Sequence, residues 1–116
     1  MTEVRLTVHR SAHEIGGNCI EISTADGSRI ILDAGRPLDA PEGATGLLPK
    51  SLNLAGSVNG VLISHPHQDH YGLLDELPPS WPVYCGKASE SLIRLTAGIF
   101  GTAPQNPFIN WLGGEP

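Results

Sequence analysis

Residues 58–70 read Val58-Asn59-Gly60-Val61-Leu62-Ile63-Ser64-His65-Pro66-His67-Gln68-Asp69-His70. The apolar run Val61-Leu62-Ile63 predicts a central strand within 58–64, and His65 sits where that strand ends. Three of the chain's five histidines fall in the next six residues, together with an aspartate. On extended backbone His65 and His67 share a face, with Cα atoms roughly 6–7 Å apart. That separation lets two imidazoles converge on one ion at about 2.0–2.1 Å each. Asp69 and His70 follow as the chain turns into a helix, offering a carboxylate and a third imidazole to an adjacent point. Pro66 has no amide hydrogen and fixes φ, which suits a stiff loop outside the ladder. A lone strand-end histidine is usually a surface residue, and two at i and i+2 arise by coincidence. The complete His-x-His-x-Asp-His after an apolar strand is far more specific and reads as a metal site. Imidazole with carboxylate favours Zn, with Fe or Mn as other occupants.

Upstream, Val4, Leu6 and Val8 alternate with polar neighbours, the period of a strand with one buried face. Ile20 and Ile22 repeat the pattern after Gly16-Gly17. Ala25-Asp26-Gly27-Ser28 carries the turn chemistry of a hairpin. The continuous run Ile30-Ile31-Leu32 predicts a strand covered on both faces, ending at Asp33-Ala34-Gly35. Residues 36–48 read as a long loop, and Pro49 predicts a short helix through Leu54. Downstream, Tyr71-Gly72-Leu73-Leu74 predicts a short helix stopped by Pro78-Pro79, and residues 81–85 a fifth strand. Ala88, Leu92, Leu95 and Ile99 form one stripe of an amphipathic helix. Residues 101–116 read as a loop-like C-terminal tail. A strand meander followed by alternating strands and helices indicates a layered α/β (α+β) arrangement, with functional groups on loops at strand ends.

The remaining composition excludes rather than identifies. The 116 residues allow one modest domain, and 14 Gly with 10 Pro make much of it turn and loop. Charged residues are 16% of the chain against about 25% in ordinary domains. The net charge of −5 and pI near 5.4 argue against a dominant basic nucleic-acid face in this segment. No apolar run is long enough for a membrane span, and the N-terminus lacks the apolar core of a signal peptide. Two cysteines, Cys19 and Cys85, make no disulfide framework, so a reducing cytoplasm is expected. Both read as small apolar fillers. His13-Glu14, the pair Asp75 and Glu76, and Lys87 read as solvated surface, and Gly16-Gly17 as a tight turn.

His65-Pro66-His67-Gln68-Asp69-His70 resembles the signature of the metallo-β-lactamase superfamily of metallo-hydrolases, and Asp33 matches that family's upstream aspartate. Glu14-Ile15-Gly16-Gly17-Asn18-Cys19 and Val83-Tyr84-Cys85-Gly86 resemble one branch, the β-CASP RNA-processing nucleases that include ribonuclease J-like exonucleases. The resemblance covers residues 4 to 100. It implies the N-terminal half of an αβ/βα sandwich carrying part of a two-zinc site. His65 and His67 would bind the first metal, Asp69 and His70 the second, and Asp33 would orient ligands by hydrogen bonding. Residues 1–100 would then be the N-terminal part of the domain, with 101–116 a truncated tail. The implied chemistry is hydrolysis of RNA phosphodiesters by a metal-bound hydroxide, with Asp69 and Asp33 in the catalytic machinery.

The chain also departs from that pattern. The superfamily completes its site with a further His, a bridging Asp and another His. After His70 this sequence has no histidine, and its only later aspartate, Asp75, is too close to serve. Either the 116 residues are the N-terminal part of a longer enzyme, which is the preferred account, or two copies pair to complete one sandwich. A half-sandwich exposes an apolar sheet face that a missing C-terminal half, a homodimer or another partner would cover. The isolated chain is expected to bind metal weakly and turn over little. Two other functions are open: a hydrolase of thioesters, lactones or β-lactams with a small-molecule substrate, and a non-catalytic interaction module with a vestigial metal motif.

Overall fold

Six strands in sequence order, β1-β2-β3-β4-β5-β6, make one sheet. The computed structural model describes residues 3–10, 17–41, 44–65, 67–100 and 104–110. Strand β1 (Val4–Arg10) pairs antiparallel with β2 (Cys19–Thr24), and β2 with β3 (Arg29–Leu32). The β2–β3 connection is the hairpin that Asp26-Gly27 predicts. Gly27 takes φ 92°, and the Asp26 carboxylate accepts the Ser28 amide at 3.0 Å. From β3 onward the ladder is parallel, through β4 (Gly60–Leu62), β5 (Val83–Cys85) and β6 (Phe108–Asn110). Between β4 and β5 lie the one-turn helix α1 (Gln68–Tyr71) and a 3-10 turn at Leu74–Glu76. Helix α2 (Lys87–Phe100) joins β5 to β6.

Strand alternation divides the sheet into two unlike faces. Cys19, Ile31, Val61, Ile63, Val83 and Cys85 belong to one buried cluster with Leu52, Leu73, Leu74, Leu77, Trp81 and Ile93. The other face carries a cross-sheet row, Val8–Ile20–Leu32–Leu62–Tyr84–Ile109, set by the pairing register. A second row, Leu6–Ile22–Ile30–Gly60, lies beside it. Val8 and Leu6 are exposed, and the central members of both rows are half-buried. This is the open apolar face that a half-sandwich predicts. Gly60 makes room for the Tyr84 ring, since a Cβ there would meet it at 2.7 Å and displace it.

Six expectations change. Val4, Leu6 and Val8 of β1, expected to form a buried face, are exposed. Residues 71–74 are no single helix, since α1 ends at Tyr71 and a 3-10 turn starts at Leu74. Ile30-Ile31-Leu32 is covered on one face only: Ile31 is fully buried, while Ile30 and Leu32 point to the open side. The stretch after Pro49 makes a turn instead of a helix, with the Leu52 amide donating to the Pro49 carbonyl at 3.1 Å. Asn53 explains this, since its side-chain oxygen captures the Ala55 amide at 2.9 Å and competes with helical bonding. Helix α2 buries Ile93 and Ala97, whereas Leu92, Leu95 and Ile99 of the expected stripe face outward. Within the stretch read as loop-like, Phe108–Asn110 forms β6. Buried Asn106 leads into it, donating to the Pro78 and Trp81 carbonyls at 2.9 Å each.

Candidate metal centre

The ends of two adjacent parallel strands build the site. Asp33 follows β3, and Ser64 and His65 follow β4, so strand pairing alone brings residues about thirty positions apart into contact. The Asp33 amide donates to the Leu62 carbonyl at 2.8 Å, continuing the ladder past β3. Asp33 then takes φ 64°, the only positive φ on a non-glycine residue among those described. Aspartate tolerates this left-handed conformation better than most residues, and such geometry is held only where neighbours enforce it. Here they do. The Ala34 amide donates to the His70 carbonyl at 2.9 Å, the Leu73 amide to the Ala34 carbonyl at 2.8 Å, and the Gly35 amide to the Asn18 carbonyl at 2.9 Å.

Thus held, the buried Asp33 carboxylate faces the histidine loop. Its Oδ1 accepts the Ser64 amide at 2.8 Å, and its Oδ2 accepts the Ser64 hydroxyl at 2.7 Å and His70 Nδ1 at 2.9 Å. His65 Nδ1 lies 3.1 Å from Ser64 Oγ. The His70 and Tyr71 amides both donate to the His67 carbonyl, at 2.9 and 3.1 Å, which starts the turn of α1. Ring centroids are 4.7 Å apart for His65 and His70, and 6.4 Å apart for His65 and His67 with nearly parallel planes. His65 and His67 are exposed. The described side chains include no group of three or more His, Cys, Asp or Glu arranged to hold an ion. The Asp69 side chain lies outside the described residues.

Imidazoles backed by a carboxylate are nevertheless the kind of donor that suits a divalent ion. Nδ1 of His70 is committed to a buried carboxylate, so this ring would ligate through Nε2. A carboxylate bonded to the second nitrogen is the arrangement that orients metal-binding imidazoles and raises their basicity. Ser64 was not singled out from sequence, since a serine before a histidine carries no chemical signature alone. The signal was its position one residue before the motif, just past the strand that pairs with the one Asp33 follows.

The other candidates resolve differently. His13 and Glu14, with the segment 11–16, lie outside the described residues. Glu76 is not merely solvated: its Oε1 accepts the Leu47 amide at 3.0 Å and pins the long loop. Asp75 is exposed, as the sequence reading has it, and partial desolvation holds its carboxyl above the ordinary value. Cys19 and Cys85 are buried free thiols, and burial pushes Cys19 up to about 11, as suits a filler. A second polar cluster was not anticipated. His9, beside the register shift of β1, meets Ser51 Oγ at 2.7 Å and Glu21 Oε1 at 2.8 Å. Arg29 donates to Glu21 Oε2 at 2.7 Å and lies 5.4 Å from the centre of the Trp81 ring.

A family model described as the metallo-beta-lactamase superfamily matches residues 14–108. The chain belongs to that superfamily, whose members use divalent metals. Among curated proteins it is 33% identical over 96 residues to an "RNase J-like protein" of Methanocaldococcus jannaschii, covering 80% of this chain and 20% of that one. It is likewise 33% identical over 97 residues to "Transcription termination factor FttA" of Methanosarcina mazei, covering 79% of this chain and 15% of that one. A solved structure, that of a protein of unknown function from Enterococcus faecalis V583, shares the fold. Its TM-score is 0.74 at 20% identity, over 99% of this chain and 35% of the other. The chain thus spans about a fifth or less of the length of these curated relatives. Among the described residues no helix is long and apolar enough to cross a membrane.

Proposed function

We propose that this chain is the ligand-bearing N-terminal part of a zinc-dependent hydrolase that cleaves RNA phosphodiesters. The observation that carries the reading is the 2.9 Å contact between the Asp33 carboxylate and His70 Nδ1, beneath a His-x-His-x-Asp-His loop. The ribonuclease name of one relative supports RNA as the substrate class. In this reading His65 and His67 bind one ion, Asp69 and His70 a second, and residues 1–100 form the N-terminal part of the catalytic domain. An ion held there would act as a Lewis acid on a phosphoryl oxygen and acidify a water. Asp33 holds the His70 ring in one orientation and takes part of the positive charge that develops on it. The exposed His65 and His67 rings face solvent, where a polyanion has access. Residues covering the open sheet face, from a longer chain or a second copy, would supply the missing ligands. The two buried thiols suit a reducing cytoplasm.

The test combines zinc titration with hydrolysis of single-stranded RNA, using a thioester and a β-lactam panel alongside. The wild-type chain should bind zinc and turn RNA over slowly. His67→Ala should abolish zinc affinity, and Asp75→Ala should leave it within about twofold, as for a surface change away from the site. Equal effects of the two substitutions would overturn the ligand assignment. Preferential turnover of a thioester or β-lactam would overturn the RNA reading, and fast RNA turnover by this chain alone would overturn the need for further ligands.

A further inference from the structure

We infer that Ser64 is a positioning residue of this site: its single hydroxyl proton decides which ring nitrogen His65 presents. Among the described residues Ser64 Oγ has three polar neighbours, Asp33 Oδ2 at 2.7 Å, His65 Nδ1 at 3.1 Å and His70 Nδ1 at 3.2 Å. A serine hydroxyl donates one hydrogen bond and accepts up to two. The carboxylate can only accept, and it is the nearest and most strongly accepting of the three, so the serine proton goes to Asp33. Ser64 Oγ is then an acceptor toward both imidazoles, and His65 can bond to it only by carrying a hydrogen on Nδ1. The same count applies to His70, whose Nδ1 faces Oδ2 of Asp33 at 2.9 Å and must also donate. Both neutral rings are therefore Nδ1–H tautomers, each with its lone pair on Nε2.

Asp33 does not touch His65 in any contact described, so its hold on that ring passes through Ser64. The carboxylate fixes the hydroxyl, and the hydroxyl fixes the ring. One buried carboxylate thereby sets the tautomers of two histidines whose ring centroids lie 4.7 Å apart, and the hydrogen bond from the Ser64 amide to Oδ1 locks the geometry. The consequence for metal affinity rests on the proposed metal reading. The tautomers themselves do not, because they belong to the metal-free chain.

Long-range proton–nitrogen NMR of the imidazoles in the metal-free chain, at a pH about two units above the ordinary histidine value near 6.5, reads this directly. Wild type is expected to show His65 and His70 as Nδ1–H. Ser64→Ala should move His65 toward the Nε2–H form that isolated histidine prefers, while His70 stays Nδ1–H through Asp33. Ser64→Thr, which keeps the hydroxyl, should restore the wild-type pattern. Zinc affinity should fall about 10–100-fold in Ser64→Ala and recover in Ser64→Thr. An Nε2–H His65 in wild type, or an unchanged His65 in folded Ser64→Ala, overturns the inference. Should Ser64→Ala fail to fold, the wild-type spectrum alone decides. Tautomers as expected in a wild-type chain without zinc affinity would uphold the ring-fixing role of Ser64 and reject the metal reading instead.

Discussion

Asp33 combines two demands in one residue: a left-handed backbone at φ 64° and a carboxylate accepting three hydrogen bonds. Asparagine tolerates that backbone and keeps one acceptor oxygen, whereas alanine meets neither demand. Asp33→Ala is expected to cost about 2–4 kcal/mol of stability, from backbone strain and the lost charge-assisted bonds, and Asp33→Asn clearly less. Urea denaturation of the metal-free chain checks the order; equal losses would mean that strain plays no part. The histidine loop was legible because ligands on one loop must sit at short, fixed spacings, whereas Asp33 was reached only through the family resemblance. Ser64 was not legible: its role depends on the β3–β4 pairing that sets it against a residue 31 positions away.

At the scale of elements, helix α2 shows where pattern reading stops. The sequence holds two apolar stripes at helical spacing, and the longer one, Leu92, Leu95 and Ile99, is the exposed one. Periodicity tells that a face is apolar without telling which layer covers it. Ile93→Ala, at a fully buried site, is expected to cost about 2–5 kcal/mol. Leu95→Ala, at 64% exposure, should cost less than about 0.5 kcal/mol. Comparing denaturation midpoints tests this, and a reversed order would mean that α2 is rotated about its axis. Strand β6 escaped notice because three residues are too few for a period; side-chain bonds secure its approach and its end. Asn106 fastens the entry, and Asn110 donates to Glu90 Oε1 at 3.0 Å. The β2–β3 hairpin was legible throughout, since Asp-Gly states its turn locally.

For the whole molecule, six strands present one covered face and one open apolar face, the arrangement of a sandwich with one layer in place. On the covered side, the His9–Glu21–Arg29 cluster makes stability depend on pH. Burial alone would raise the Glu21 carboxyl, but bonds from His9 and Arg29 outweigh it and hold the group below its ordinary 4.5. Its contribution is therefore complete above that value and is lost as pH falls through the lower folded one. The stability difference between wild type and Glu21→Gln should narrow as pH drops from about 6 to about 3. A difference that widens on acidification would contradict the sign. The central claim, that the loop after β4 is a metal centre, is tested most directly by titrating zinc into the chain while following every histidine side chain by NMR. His65, His67 and His70 are expected to respond together while His9, held by Glu21 and Ser51, does not move. No response from the three loop histidines, or an equal response from His9, would contradict it.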